Sequence, residues 1–174
     1  MKSVLRNSLF PAMVIMVALA GCTMDDDLQG NGNGVLTEKP ISQIKREAAE
    51  TLTIGSNSFV LDAYLWRDFM PISPENGKPM ISINWLICTE LVKIPDNLSM
   101  VRQYVIYKDD IWIADYENEE PAPSLPEYKI ERISRNGPTW GPDIYVDVIS
   151  QIHDSKTNKD YYIVRKNVYI IRTN

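Results

Sequence analysis

Phe59-Val60-Leu61-Asp62-Ala63-Tyr64-Leu65 decides the fold, because its apolar residues recur at every second position. Phe59, Leu61, Ala63 and Leu65 line one face and Asp62 and Tyr64 the other, the period of a half-buried β-strand. Ile81, Ile83, Trp85 and Ile87 repeat the pattern and predict a second strand with these residues inward and Ser82 and Asn84 outward. Between the two, residues 71–79 hold prolines at both ends and Asn76-Gly77, which forbids a helix and predicts a loop.

Working outward, Val101–Tyr107 and Ile111–Ala114 flank Lys108-Asp109-Asp110, a tight hairpin. Residues 117–126 are acidic and proline-rich, and predict a loop. Tyr128–Ile133 reads as a short strand, and Ile144, Val146, Val148 and Ile152 as one face of another. After a polar turn at 154–160, Tyr161–Thr173 reads either as one long strand or as a hairpin at Lys166-Asn167. Before all of these, Ile41–Glu50 has the composition of one or two helical turns, with Ser42 as a candidate cap. Seven or eight strands without crossover helices or internal repeats predict an all-β fold, a single antiparallel β-sandwich over residues 45–174.

The first 27 residues are an address. Lys2 and Arg6 supply a basic start, and Leu9–Ala20 an apolar run too short for a comfortable membrane span. The run ends in Leu19-Ala20-Gly21-Cys22, which resembles the lipobox of bacterial lipoproteins. That resemblance implies removal of residues 1–21, acylation of Cys22 and membrane attachment through several acyl chains, more than the one chain that anchors only marginally. Asp25, Asp26 and Asp27 follow at once and resemble the export signal of Bacteroidetes-type surface lipoproteins, implying an outer-membrane protein exposed on the cell surface. The alternative is that the triplet is a hydrated part of the tether. Residues 22–44, including Gln29-Gly30-Asn31-Gly32-Asn33-Gly34, read as that tether, about 25 Å from end to end if flexible.

Charge and cysteine content narrow the function. Loss of residues 1–21 leaves 16 basic and 23 acidic residues, a net charge of about −7. With no dense basic run, this argues against nucleic acid as a partner. Cys22 is assigned to the anchor, so Cys88 has no disulfide partner, and its apolar setting reads as a core thiol.

The segments Leu65-Trp66-Arg67-Asp68-Phe69-Met70-Pro71 and Gly141-Pro142-Asp143-Ile144-Tyr145-Val146-Asp147-Val148 resemble a group of small Bacteroidetes-type lipoproteins. The resemblance covers most of the domain and implies a transthyretin-like or immunoglobulin-like sandwich. It transfers no catalytic residue and implies no cofactor.

Candidate sites are few. His153 is the only histidine and falls with Tyr145, Asp147 and Gln151 on the face opposite Val146 and Val148, a surface position. One histidine and one free cysteine cannot assemble the usual zinc sets. Asp68, Asp115, Glu117 and Asp143 could serve as acid and base only if the fold brings two together. Glu117, Glu119 and Glu120 offer oxygens without the spacing of a calcium loop. No glycine run has the phosphate-binding pattern.

Two aromatics remain as candidate ligand contacts. Trp140 sits in Gly137-Pro138-Thr139-Trp140-Gly141-Pro142, where it either faces a sugar or protein partner or folds back to plug the domain. Trp66 is expected to pack, with Arg67 and Asp68 pairing beside it. The expected function is a non-enzymatic interaction or accessory module for a glycan or envelope protein. A fimbria-like structural subunit and a carboxylate-dependent hydrolase are the alternatives.

Overall fold

A computed structural model describes residues 39–117 and 124–174 of the chain. It comprises one short helix, α1 (Ile41–Glu47), and eight strands. These are β1 (Thr51–Ile54), β2 (Asn57–Asp68), β3 (Met80–Cys88), β4 (Leu98–Tyr107), β5 (Asp110–Asp115), β6 (Lys129–Gly137), β7 (Tyr145–Asp154) and β8 (Lys159–Thr173). The all-β class is as the alternation predicts. The strands hydrogen-bond in the order β5-β4-β7-β8-β2-β3-β6, with β1 beside β2, as one curled sheet, a half-barrel. Two separate stacked sheets, the defining feature of a sandwich, are not confirmed by this order.

The curl has a local cause in β8. Its first part pairs antiparallel with β7, and its last residues also pair parallel with β2, from Leu65 opposite Ile170 to Asp68 opposite Thr173. Tyr161–Thr173 is therefore one long strand. Lys166-Asn167 is a bulge within it, with Asn167 at φ 55° and a register shift between Val146 and Val148 on β7. An extra residue bends a strand and increases its twist. The sheet's two ends then approach: Glu117, just beyond β5, donates its backbone N–H to Ile133 of β6 at 2.9 Å. Trp112 of β5 lies over Gly137 of β6, where a Cβ would come within 2.7 Å of the indole.

The concave face holds the main core. Phe59, Leu61 and Leu65 of β2 point into it as expected, with Val146, Val148 and Ile152 of β7. On β3 the expected sides are reversed. Met80, Ser82, Asn84, Leu86 and Cys88 are buried inside, while Ile81, Ile83, Trp85 and Ile87 are half-buried on the convex face. Alternation alone favours the uniformly apolar face of Ile81, Ile83, Trp85 and Ile87 over the face that carries Ser82 and Asn84. The choice is made by a polar layer across the interior. Asn84 donates to Ser82 Oγ at 2.9 Å and to Gln103 Oε1 on β4 at 2.7 Å, while Tyr116 and Ser150 share a hydrogen bond of 2.8 Å. Burial pushes the Tyr116 phenol far above its ordinary pKa.

On the convex side, α1 covers β4, β7 and β8. Its fully buried Ile44 joins Tyr104, Ile149, Tyr162 and Val164 in a second cluster. Seven residues cannot sustain a helix by propensity alone, so this packing holds it. The expected cap at Ser42 is not formed. The helix starts from Pro40, whose carbonyl accepts the N–H groups of Gln43 and Ile44, and Ser42 lies within it. Ala49 then bridges to Ile163 and leads the chain into β1.

Candidate functional site

Of the residues singled out in the sequence, Cys22, Asp25, Asp26, Asp27, Glu119 and Glu120 lie outside the described residues. Trp140 is half-buried and packs against the main core, with its ring 5.8 Å from that of Tyr107. This is the geometry of the plug alternative.

Arg67 does not pair with Asp68. The alternation that puts Leu65 inside carries Arg67 inside too, leaving it 1% exposed. There it donates to the carbonyls of Lys78 at 3.1 Å, Thr139 at 2.9 Å, Gly141 at 2.7 Å and Asn76, tying two loops to the end of β2. Asp68 instead meets Lys78 at 2.7 Å and accepts the N–H of Met70. The Lys78 bond, reinforced by that N–H, holds its carboxyl below the usual range. The loop bearing Trp140 is thus fixed from beneath by a buried cation.

The other carboxylates are engaged one by one. Asp115 pairs with Arg102 at 2.6 Å, Glu117 with Arg135 at 3.2 Å, and Asp143 accepts the Tyr169 hydroxyl at 2.5 Å. His153 is on the convex face and contacts Asp160 at 2.8 Å. Cys88 is fully buried with its thiol 3.3 Å from Glu90. No three His, Cys, Asp or Glu side chains among the described residues gather as a metal site, and no described helix is long and apolar enough to cross a membrane.

What the fold does bring together is a row of aromatic and aliphatic side chains on the convex face beyond α1. Trp66 and Tyr64 of β2 stand 5.4 Å apart by ring centroid, and Tyr64 is 40% exposed. Register places Ile81 opposite Trp66, Ile83 opposite Tyr64 and Ile171 of β8 on the other side of Trp66. Two residues back along β8, Tyr169 lies 5.2 Å from Tyr145 of β7, which is 62% exposed. Polar groups fix the ring edges: Trp85 donates its indole N–H to Glu131 at 2.6 Å, and Asp143 holds the proton on Tyr169, raising its pKa. Trp66, Ile81, Ile83 and Trp85 belong to neither core cluster. All four are half-buried, while Tyr64, Tyr145 and Tyr169 are exposed.

Of these side chains, Trp66 alone stands out in the sequence as a candidate contact. The available signal was the phase of Tyr145 and Tyr169, each next to a core residue, Val146 or Ile170, and therefore on the opposite face. Geometry of this kind suits binding, since rings held at fixed spacing on a rigid sheet offer flat apolar area at little entropic cost. No protein-family model, curated protein or solved structure matches this chain.

Proposed function

We propose that the protein is a lipid-anchored, cell-surface binding module without catalytic activity, which presents its convex sheet face to a glycan or envelope protein. The observation that carries this reading is the row from Tyr145 and Tyr169 through Trp66 and Tyr64 to Trp85, whose tyrosines at 145, 169 and 64 are exposed. A contiguous apolar patch with polar margins on a soluble face marks an interaction site. The separate engagement of each carboxylate supports binding over acid and base catalysis.

The opening residues support a location as well. The resemblance of Leu19-Ala20-Gly21-Cys22 to a lipobox and of Asp25-Asp26-Asp27 to a Bacteroidetes-type export signal supports an acylated N-terminus in the outer membrane, with the domain outside. A glycan array probed in parallel with outer-membrane extracts tests the binding face. The Trp66→Ala/Tyr64→Ala variant is expected to lose at least about tenfold in affinity for whichever partner the unmodified protein selects, about 1.4 kcal/mol. Its melting temperature should fall only slightly, because neither ring belongs to a core cluster. Undiminished binding by the folded variant contradicts the assignment of this face.

A further inference from the structure

Between the end of α1, the β4–β5 turn and the β7–β8 bulge lies a groove of about 480 Å³, within the size range of small-ligand sites. Its floor is apolar, with Ala48, Ile106, Ile149 and Val164, and its rim carries three lysines from three separate elements. Lys45 is exposed in the last turn of α1 and makes no ion pair among the described residues. Lys108 is held in the hairpin turn at φ 56°, with its nitrogen 4.9 Å from the Tyr107 ring. Lys166 in the bulge meets Glu50 at 2.8 Å, a pair with both side chains more than half exposed, so solvent screens it and a ligand can displace it at little cost. The one acid in the lining, Asp147, already accepts the backbone N–H of Asn167.

Set against Asp147 and the Glu50 that pairs with Lys166, the three cations still leave a net positive charge here, in a chain whose formal net charge is −5. That field selects an anion. The apolar floor calls for more than a bare ion, and the lining includes Tyr145, the first ring of the aromatic row. Its partner Tyr169 is fixed by Asp143, so Tyr145 packs against a ring that cannot turn freely. We propose that this groove binds an acidic saccharide, with its carboxylate or sulfate groups held by Lys45, Lys108 and Lys166 and one ring face laid on Tyr145. The inference rests on the binding-module reading and gives it a ligand class.

The test is titration of the full-length chain in mild detergent with a galacturonic acid tetramer, its methyl ester and a heparin tetrasaccharide, followed by calorimetry. At least one acidic oligosaccharide is expected to bind, with affinity falling as salt rises. Methyl esterification of the galacturonate should weaken binding at least tenfold if that sugar is the one bound. Lys45→Glu/Lys108→Glu should weaken acidic-sugar binding at least tenfold with only a small fall in melting temperature, since both side chains are exposed, and Tyr145→Ala should weaken it several-fold. Binding that is indifferent to the lysine substitutions, or absent for both acidic sugars, overturns the inference. If a neutral glycan instead binds in a way that depends on Trp66, the groove assignment fails while the binding-module reading stands.

Discussion

Arg67→Met is expected to destabilise the protein by about 3–5 kcal/mol, because four charge-assisted hydrogen bonds from one buried side chain are lost together. The guanidinium is 1% exposed and donates to four backbone carbonyls, two in the loop after β2 and two in the loop carrying Trp140. Methionine retains the apolar stem but supplies no donor, so the carbonyls lose their partners together. Phe69 is affected as well, because its ring lies 5.0 Å from the Arg67 guanidinium and 4.2 Å from that of Arg172. Arg67→Lys should cost less, about 2 kcal/mol, since a point ammonium keeps the charge but cannot fork to both loops. Urea unfolding measures the loss, and hydrogen exchange should localise early opening to residues 73–78 and 139–143. A cost below about 1 kcal/mol for the methionine variant would show that the two loops hold without the cation.

The interior polar layer gives the second large effect, and its sign depends on how many partners are removed. Asn84 and Gln103 are both fully buried, and their contact leaves Asn84 Oδ1 and Gln103 Nε2 without protein partners. Asn84→Leu alone strands the Gln103 carbonyl as well, and should cost about 2–3 kcal/mol for the newly unsatisfied group and the lost bonds. Changing both, Asn84→Leu with Gln103→Met, removes the orphaned atoms along with the bond, and should cost less than the single change. Such non-additivity between contacting residues is what a double-mutant cycle in urea reads. A double variant that costs more than Asn84→Leu alone would contradict the arrangement.

The same layer explains what the sequence could and could not tell. Strand positions were legible wherever one face was apolar and the other polar, as in Phe59–Leu65 and along β7, and the resulting faces agree with the structure. β3 misled because its inner face carries Ser82 and Asn84 while its outer face carries Ile81, Ile83 and Trp85. Local pattern favours the wrong side there, and only partners from β4 and β6, distant in sequence, make the polar side the inner one. Arg67 was misplaced for a related reason. An arginine beside an aspartate suggests a pair, but strand phase points the two residues to opposite faces.

Site geometry was less legible than strand phase. Trp66 could be named from the sequence, whereas its association with Tyr145 and Tyr169 depends on β8 passing from β7 to β2 through the Lys166-Asn167 bulge. The groove beside it depends on where a seven-residue helix docks, which is set by Ile44 finding Tyr104, Ile149 and Tyr162. Neither juxtaposition is encoded within a single segment.

The central claim is that the convex face is displayed outside the cell, and the chain's own cysteines make that directly measurable. Cys88 is fully buried and silent, and Cys22 is consumed if it carries the anchor. A Tyr64→Cys variant therefore places one reactive thiol on the face, at a position 40% exposed. Treatment of intact cells with a membrane-impermeant maleimide is predicted to label this variant and leave the unmodified protein unlabelled. Labelling of the variant only after the cells are broken would contradict surface display.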